Sequence, residues 1–268
     1  WFNIGGKAKI YLRANSLKDL SLFLRQYNNR GKVFILGAGS NILFDDNPYD
    51  GAAIKLGKNF NNISKLNEDL IISGCSCLDK KVSDFAMENE IEGFEFLSCI
   101  PGSIGGGIRM NAGCYGKEFK DIILSVQTID YYGRVSTIPS SKINFNYRST
   151  NLPKELIFLS GTFKGKISKK DKIKKQVDEL KNQKMLSQPF RVKTGGSTFK
   201  NPKEQTQKKV WELIQESLDV KETNKMFGDA KLSEKHSNFL INQDNASSKD
   251  MKNLINFVKE NVYKKTGV

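Results

Sequence analysis

The spacing of apolar residues changes along the chain between the period of strands and the period of helices. Residues 8–12 alternate apolar and polar side chains, which predicts a strand, and Ser16 is placed to cap a helix through about residue 27. The other predicted strands cover residues 32–36, 52–56, 70–73, 122–130, 133–138 and 156–163. The other predicted helices cover residues 78–90, 169–185, 208–218 and 249–264. Strands with flanking helices in this order predict an α+β fold.

The chain has 268 residues, which is enough for about two domains. We place the boundary before the third predicted helix and predict one domain over residues 1–165 and a smaller α+β domain over residues 166–268.

No apolar run approaches the roughly 20 residues of a transmembrane helix. The first residues lack the pattern of a signal peptide. We therefore expect no membrane partner and a cytoplasmic location.

The composition is basic, with 43 Lys and Arg against 29 Asp and Glu and a net charge of +14. Only seven of these residues are Arg, the side chain that forks best onto bases and phosphates. We therefore expect no nucleic-acid partner, although a basic nucleic-acid-binding module is the remote alternative. Seven Lys lie between Lys164 and Lys175. This run is typical of a solvated helix start, and a docking patch for an anionic partner stays open.

The cysteines lack the spacing of a metal site. They are Cys75, Cys77, Cys99 and Cys114, which form no Cys-x-x-Cys pair, and His236 is the only histidine. We predict no bound metal, free thiols in a reducing compartment and a packing role for His236.

Two glycine-rich segments carry the candidate chemistry. The first is Gly37-Ala38-Gly39-Ser40-Asn41-Ile42-Leu43, directly after a predicted strand, where consecutive backbone amides can bind an anion. Ile42 replaces the last glycine of G-x-G-x-x-G, and no Lys-Ser/Thr pair follows, which excludes both the Rossmann fingerprint and the P-loop. A plain tight turn is the alternative for this segment.

The second segment runs from Pro101 to Gly116 and holds six glycines in sixteen residues. So much glycine costs conformational entropy on folding and offers few side chains to pack. This favours a bound polyanion such as a dinucleotide pyrophosphate, with a structural turn as the alternative. Two such segments in one chain favour a cofactor larger than a single phosphate.

Further motifs follow these segments: Tyr147-Arg148-Ser149, then Gly196-Ser197-Thr198-Phe199-Lys200-Asn201-Pro202, then residues 233–239. In this order, and over the whole chain, the sequence resembles the UDP-N-acetylenolpyruvoylglucosamine reductase family. The Pro-Gly-Ser-Ile-Gly-Gly pattern is shared with the wider vanillyl-alcohol-oxidase-type FAD fold, whereas Gly-Ser-x-Phe-Lys-Asn-Pro is more specific. The resemblance implies an FAD-binding module of that type in two subdomains, about residues 1–57 and 58–165, followed by the substrate-binding domain.

The resemblance implies a bacterial enzyme of peptidoglycan precursor synthesis, which supports cell wall biogenesis and cell division. NADPH would reduce FAD, and flavin N5 would pass a hydride to the vinyl carbon of UDP-N-acetylglucosamine enolpyruvate to give UDP-N-acetylmuramate. A monomer is expected. The alternative is another FAD-dependent oxidoreductase of the same fold.

Site residues follow from the same resemblance. Hydride addition builds negative charge toward the substrate carboxylate, which the permanently charged Arg148 is suited to stabilise. Ser197 matches the family's proton donor, and Tyr147, Lys200 and Asn201 are expected to bind substrate. The family's third catalytic residue, a Glu, has no match here and is expected beyond residue 268. The residues expected to bind FAD are Gly37, Ala38, Gly39, Ser40, Asn41, Ile42, Leu43, Pro101, Gly102, Ser103, Gly105, Gly106, Asn111, Ala112, Gly113 and Gly116.

Overall fold

The computed structural model describes residues 1–28 and 30–268 of the chain. In chain order the α-helices are α1 (Leu17–Tyr27), α2 (Asp79–Glu88), α3 (Ile104–Arg109), α4 (Lys170–Ser187), α5 (Val210–Ser217), α6 (Val220–Thr223) and α7 (Ser248–Thr266). The strands are β1 (Ala8–Ala14), β2 (Lys32–Ile35), β3 (Tyr49–Leu56), β4 (Ile63–Lys65), β5 (Leu70–Gly74), β6 (Ile91–Glu92), β7 (Gly113–Cys114), β8 (Lys117–Glu118), β9 (Ile123–Ile129), β10 (Val135–Pro139), β11 (Phe145–Asn146), β12 (Ser149–Thr150), β13 (Ile157–Lys164), β14 (Lys166–Ile167), β15 (Lys193–Ser197), β16 (Ala230–Leu232) and β17 (Phe239–Asn242). Short 3₁₀ turns cover Lys58–Phe60, Glu95–Cys99, Phe119–Asp121 and Ser140–Lys142. The mixture confirms the predicted α+β class.

The chain divides into two compact units. The smaller unit consists of Trp1–Lys7, Gly39–Tyr49 and Met185–Val268, and the larger unit consists of Ala8–Ala38 and Asp50–Lys184. This division differs from the predicted boundary at residue 165. Helix α4 belongs to the larger unit as far as Lys184, and its last three residues belong to the smaller unit. Two N-terminal stretches belong with the C-terminal part of the chain. The first glycine-rich segment crosses the division between Ala38 and Gly39.

The two N-terminal stretches join the smaller unit through long-range contacts. Phe2 is 7% exposed within a core of C-terminal apolar residues, and the side-chain amide of Asn242 donates to its carbonyl oxygen at 2.8 Å. The carboxylate of Asp46 accepts hydrogen bonds from the backbone amide and the hydroxyl of Ser248, both at 2.8 Å. These partners are over 200 positions apart in sequence, so no local pattern could indicate them.

Helix α4 is bound to the larger unit at its first turn. Lys170 pairs with Glu88 at 2.5 Å, and Lys172 pairs with Glu92 at 2.7 Å. Ile173, on the same turn, is 2% exposed. The lysine run therefore starts a helix, and two of its charges pair with carboxylates of the same unit.

The larger unit is built on a five-stranded antiparallel sheet in the order β10-β9-β13-β5-β4. A three-stranded sheet in the order β1-β3-β2, in which β2 and β3 are parallel, lies in the same unit. The core contains phenylalanine rings packed edge to face, such as Phe119 against Phe163 with ring centres 6.0 Å apart. Helix α1 begins as predicted, because the hydroxyl of Ser16 accepts a hydrogen bond from the Asp19 amide at 3.0 Å.

Helix α3 forms inside the second glycine-rich segment, where the sequence predicted a loop. Three successive glycines have low helix propensity, so the pattern gave no helical signal. Ile104 and Ile108 are fully buried on one face of the helix. A Cβ atom on Gly107 would lie 2.2 Å from Cζ of Phe119, so only glycine lets the helix approach this ring. Packing of the buried face outweighs the weak local propensity.

The smaller unit contains the antiparallel sheet β15-β17-β16, with α7 packed on α5 and on β16. Ser247 caps α7 by accepting a hydrogen bond from the Asp250 amide at 3.1 Å. Among the helices of the described residues, none combines the length and the apolar character needed to cross a bilayer.

Candidate active site

The two glycine-rich segments meet in the larger unit at Gly37 and Ser103. A Cβ atom on Gly37 would lie 2.6 Å from the Oγ of Ser103, so the close approach requires glycine. Ser103 is 3% exposed, and its hydroxyl has no hydrogen-bond partner in the described part of the chain. Buried hydroxyls are almost always hydrogen-bonded. The Ser103 hydroxyl therefore indicates a ligand atom at this point.

The backbone around Ser103 is anchored to the turn that precedes α2. The amide of Ile104 donates to the carbonyl of Cys77, and the amide of Gly105 donates to the carbonyl of Cys75, both at 2.9 Å. Gly106, on the first turn of α3, is exposed. One side of the segment is thus held by backbone hydrogen bonds, and the other side is exposed to solvent at Gly106.

Asp79, the first residue of α2, is a buried carboxyl group beside this segment, and sequence reasoning did not identify it. Its amide donates to the carbonyl of Gly102 at 3.2 Å, and its side chain is fully buried. Neither carboxyl oxygen has a hydrogen-bond partner among the described residues. Burial raises the pKa of Asp79 well above its usual range, and the Gly102 backbone offsets part of this effect. No motif includes Asp79, so only its three-dimensional surroundings reveal it.

We expect the Asp79→Asn variant to be more stable than the parent at pH 8, with a difference that shrinks toward pH 5. Burial raises the pKa of Asp79 in the folded protein, so this carboxyl group does not reduce the stability of the parent below the unfolded-state pKa of about 3.9. The parent loses stability as the pH rises from there through the folded-state pKa, because the buried group must then ionise. Asn has a similar shape and does not titrate. Denaturant unfolding of both proteins between pH 5 and pH 8 checks this. A stability difference that does not change with pH would contradict it.

Arg148 lies in the two-residue turn between β11 and β12 in a left-handed backbone conformation, with φ of 56°. Glycine or Asn is usual at such a position, and another residue there costs of order 1–3 kcal/mol. The guanidinium donates to the carbonyl of Gly113 at 2.8 Å and to that of Asn111 at 3.4 Å. It also lies 3.8 Å from the Glu118 carboxylate and 4.9 Å from the ring centre of Tyr147, and its side chain is 30% exposed. A strained turn therefore holds a partly exposed cation against the second glycine-rich segment.

Asn111 links the second glycine-rich segment to this turn. Its side-chain amide donates to the Glu118 carboxylate at 2.9 Å and to the Asn146 carbonyl at 3.1 Å, and its oxygen accepts from the Lys120 amide at 3.0 Å. Asn111 itself is fully buried. The sequence predicted that Asn111 binds FAD. In the structure its side chain forms these three hydrogen bonds with other protein groups.

In the smaller unit, Asn41 contacts the strand that carries Ser197. The Asn41 amide donates to the carbonyl oxygens of Gly195 at 2.6 Å and of Ser197 at 3.1 Å. Gly196 between them is left-handed, with φ of 77°, and the pairing with β17 shifts register before Ser197. Such a bulge turns a side chain out of the regular alternation, and Ser197 is exposed. The structure thus brings together two residues that the sequence placed in different roles.

The remaining predicted substrate residues have different surroundings. Lys200 is exposed in the segment after β15. The side-chain oxygen of Asn201 accepts from the Val210 amide at 3.0 Å at the start of α5, which gives it a structural contact.

The ring of His236 packs against Phe239 with centres 4.9 Å apart, and burial lowers the pKa of this histidine. Within the described residues, no three metal-binding side chains cluster as a metal site.

Comparison with known proteins identifies both parts of the chain. Residues 8–138 match the FAD binding domain family, and residues 188–268 match the C-terminal domain family of UDP-N-acetylenolpyruvoylglucosamine reductase. The reductase of that name from Pelagibacter ubique (strain HTCC1062) is 57% identical over 270 residues, covering 100% of this chain and 88% of that protein. The chain belongs to the UDP-N-acetylenolpyruvoylglucosamine reductase family. It is an FAD-dependent oxidoreductase, as the sequence predicted.

Other relatives agree with this assignment. The UDP-N-acetylenolpyruvoylglucosamine reductase of Rickettsia massiliae (strain Mtu5) is 43% identical over 268 residues, covering 100% of this chain and 88% of that protein. The crystal structure of UDP-N-acetylenolpyruvylglucosamine reductase from Thermus caldophilus superposes with a TM-score of 0.82 at 27% identity, covering 97% of this chain and 90% of that one. These matches favour the reductase family over the nucleic-acid-binding and other-flavoenzyme alternatives.

The larger unit of this reductase fits the cofactor that its family uses. The unpartnered Ser103 hydroxyl, its contact with Gly37 and the exposed Gly106 suit the oxygens of the FAD pyrophosphate. We therefore expect Ser103 and the amides around Gly106 to hold this group.

We expect the Ser103→Ala variant to have opposite effects on the FAD-free and FAD-bound reductase. Without FAD, removing an unpartnered buried hydroxyl leaves the free energy of unfolding unchanged or raises it by up to about 1–3 kcal/mol. With FAD, the loss of a hydrogen bond to a charged group weakens binding by roughly tenfold to a hundredfold. FAD titration and denaturant unfolding of the FAD-free protein measure the two effects.

Ser237→Ala is the matched control, because Ser237 is buried but donates to the Trp211 carbonyl at 2.8 Å. It is expected to lower stability with and without FAD and to leave FAD affinity unchanged. A Ser103→Ala variant that behaves like this control would show that Ser103 has no role in FAD binding.

Proposed function

We propose that this reductase uses NADPH to convert UDP-N-acetylglucosamine enolpyruvate to UDP-N-acetylmuramate, as a monomer in the bacterial cytoplasm. The family membership supports the substrate class, and the Arg148 turn is the observation that carries the chemistry. When bound, FAD supplies the hydride that adds to the terminal vinyl carbon. The side chains of this chain then have two tasks, to stabilise the negative charge that results and to supply a proton.

Arg148 performs the first task in this proposal. Hydride addition moves negative charge toward the substrate carboxylate, where a preorganised cation gives the largest stabilisation. The carbonyls of Gly113 and Asn111 hold the guanidinium while part of it stays exposed. The cost of the left-handed backbone supports a functional role, because strained residues concentrate at functional sites.

Ser197 performs the second task. A positioned hydroxyl can protonate the carbon next to the carboxylate, and the exposed Ser197 can then regain a proton from solvent. Asn41 supports this role by fixing the backbone on both sides of Gly196. Tyr147 and Lys200 are proposed to contact the substrate, the former as an aromatic surface and the latter as a cation for its diphosphate.

Product analysis tests the proposed function. The FAD-loaded reductase, NADPH and the enolpyruvyl sugar nucleotide are expected to yield a sugar nucleotide heavier by two hydrogen atoms, with one NADPH oxidised per product formed. Oxidation of NADPH that leaves the sugar nucleotide unchanged would overturn the assignment. In that case the chain would be a flavoenzyme with a different acceptor.

A further inference from the structure

Strand β15 loses its regular pairing with β17 next to Ser197. Thr194 pairs with Ile241 and Ser197 pairs with Phe239, so two residues of β15 lie opposite one residue of β17 between these pairs. Such a bulge leaves the extra residue unpaired and interrupts the ladder of backbone hydrogen bonds. Groups outside the ladder are therefore needed to fix the chain on both sides of Ser197.

Asn238, directly before β17, fixes the chain that follows Ser197. Its backbone carbonyl accepts a hydrogen bond from the Thr198 amide at 2.9 Å. Its side-chain oxygen accepts from the Phe199 amide at 2.8 Å, and its side-chain amide donates to the Phe199 carbonyl at 3.0 Å. The side chain thus takes the place of a strand residue and continues the pairing beyond the end of β17.

The Asn238 side chain has little freedom to do anything else. It is 5% exposed, and its oxygen and its nitrogen are both bonded to the Phe199 backbone. The backbone amide of Asn238 donates to Nδ1 of His236 at 3.4 Å, which holds the residue from the other side. These contacts favour a role through the neighbouring peptides over direct contact with a substrate.

Asn41 fixes the chain on the opposite side of the bulge. Its side-chain amide donates to the carbonyl oxygens of Gly195 and Ser197. The two asparagines together hold the peptides before and after Ser197, while the Ser197 side chain itself stays exposed. The bulge therefore presents a hydroxyl to solvent from a backbone that is anchored at both ends.

We propose that Asn238 is a positioning residue that holds the Ser197 hydroxyl in place for proton transfer. This inference rests on the proposed role of Ser197 as proton donor. A general acid acts only within hydrogen-bond reach of the atom it protonates, and a misplacement of 1 Å can lower the rate by about 10²-fold. Loss of the Asn238 side chain frees the Phe199 peptide and leaves Ser197 held firmly only from the Asn41 side.

Asn224 offers a matched control in the same unit. Its side-chain amide donates to the Leu232 carbonyl at 2.9 Å, and its side-chain oxygen accepts from the Leu232 amide at 2.7 Å. Leu232 ends β16, which β17 separates from β15 in the sheet. Asn224→Ala therefore removes the same two kinds of hydrogen bond without changing the peptides next to Ser197.

Stopped-flow measurement of the two half-reactions of the FAD-loaded variants tests the proposal. We expect Asn238→Ala to slow reoxidation by saturating sugar nucleotide by about tenfold to a hundredfold, with reduction by NADPH at the parent rate. Asn224→Ala should lower the denaturant midpoint of unfolding by a similar amount and keep both rates. Parent-like reoxidation by Asn238→Ala, equal slowing of both its half-reactions, or equal slowing in the two variants would overturn the proposal.

Asn238→Asp serves if alanine at this position prevents folding. Aspartate keeps the size of the side chain and the acceptor for the Phe199 amide but has lost the amide that donates to the Phe199 carbonyl. It should slow the same half-reaction. Reoxidation at the parent rate would overturn the proposal here too.

The Ser197→Ala background shows whether Asn238 acts through Ser197. Adding Asn238→Ala to Ser197→Ala should lower the reoxidation rate no further, because the hydroxyl that Asn238 positions is already absent. A further loss of tenfold or more would overturn the proposal. A Ser197→Ala variant that reoxidises at the parent rate would instead contradict the role of Ser197 itself, so the two failures are distinguishable.

Discussion

The Ser197→Ala variant is expected to slow reoxidation of the reduced enzyme by the enolpyruvyl sugar nucleotide by roughly 10²–10⁴-fold, the usual loss when a general acid is removed. Alanine has no proton to give to the carbon beside the carboxylate. Reduction by NADPH does not use this proton, so its rate should stay at the parent value. Stopped-flow measurement of the two half-reactions separates these effects.

Ser197→Cys is the control for this prediction. A thiol of similar size still carries a transferable proton, so this variant should recover part of the lost rate. The proposed role is contradicted if Ser197→Ala reoxidises as fast as the parent, or if alanine and cysteine variants are equally slow.

The Arg148→Ala variant is expected to lower kcat by about 10²–10³-fold, the range found when one group that stabilises a developing anion is removed. The guanidinium is partly exposed but fixed by the carbonyls of Gly113 and Asn111 and faces the Glu118 carboxylate. Its effect should therefore appear more in kcat than in KM. Steady-state kinetics with the sugar nucleotide as the varied substrate measures this split.

Arg148→Lys separates charge from geometry. Lysine keeps the charge but cannot fork onto the carbonyls and the substrate at once, so this variant should fall between the parent and Arg148→Ala. A purely structural role for Arg148 predicts instead that both variants lose stability and FAD while the kcat of the folded, FAD-loaded fraction stays normal. That result would contradict the proposed role.

The local pattern of apolar and capping residues was sufficient to predict the strands and helices whose formation depends on neighbouring residues. The strand predicted over residues 156–163 is observed as β13 (Ile157–Lys164), and the Ser16 cap is observed before α1. Helix α3 could not be predicted, because its stability depends on the burial of Ile104 and Ile108 rather than on the propensity of its glycines. The division of the chain into units could not be predicted either. It depends on contacts such as that of Asn242 with Phe2, which are distant in sequence and produce no local pattern of residues.

The candidate site shows the same limit. Motifs identified Arg148, Ser197 and both glycine-rich segments, because each lies in a recognisable stretch of sequence. Asp79 lies outside every motif, and it is recognised as unusual only because its carboxyl group is buried beside Gly102. Asn41 lies inside a motif, yet its contact with the Ser197 strand appears only in three dimensions.

The visible absorption spectrum of the protein under anaerobic conditions tests the central claim most directly. We expect the spectrum of oxidised FAD, which NADPH bleaches and a stoichiometric amount of UDP-N-acetylglucosamine enolpyruvate restores. A protein that takes up no FAD, or whose flavin stays bleached when the sugar nucleotide is added, would contradict the claim that this chain is the reductase of that substrate.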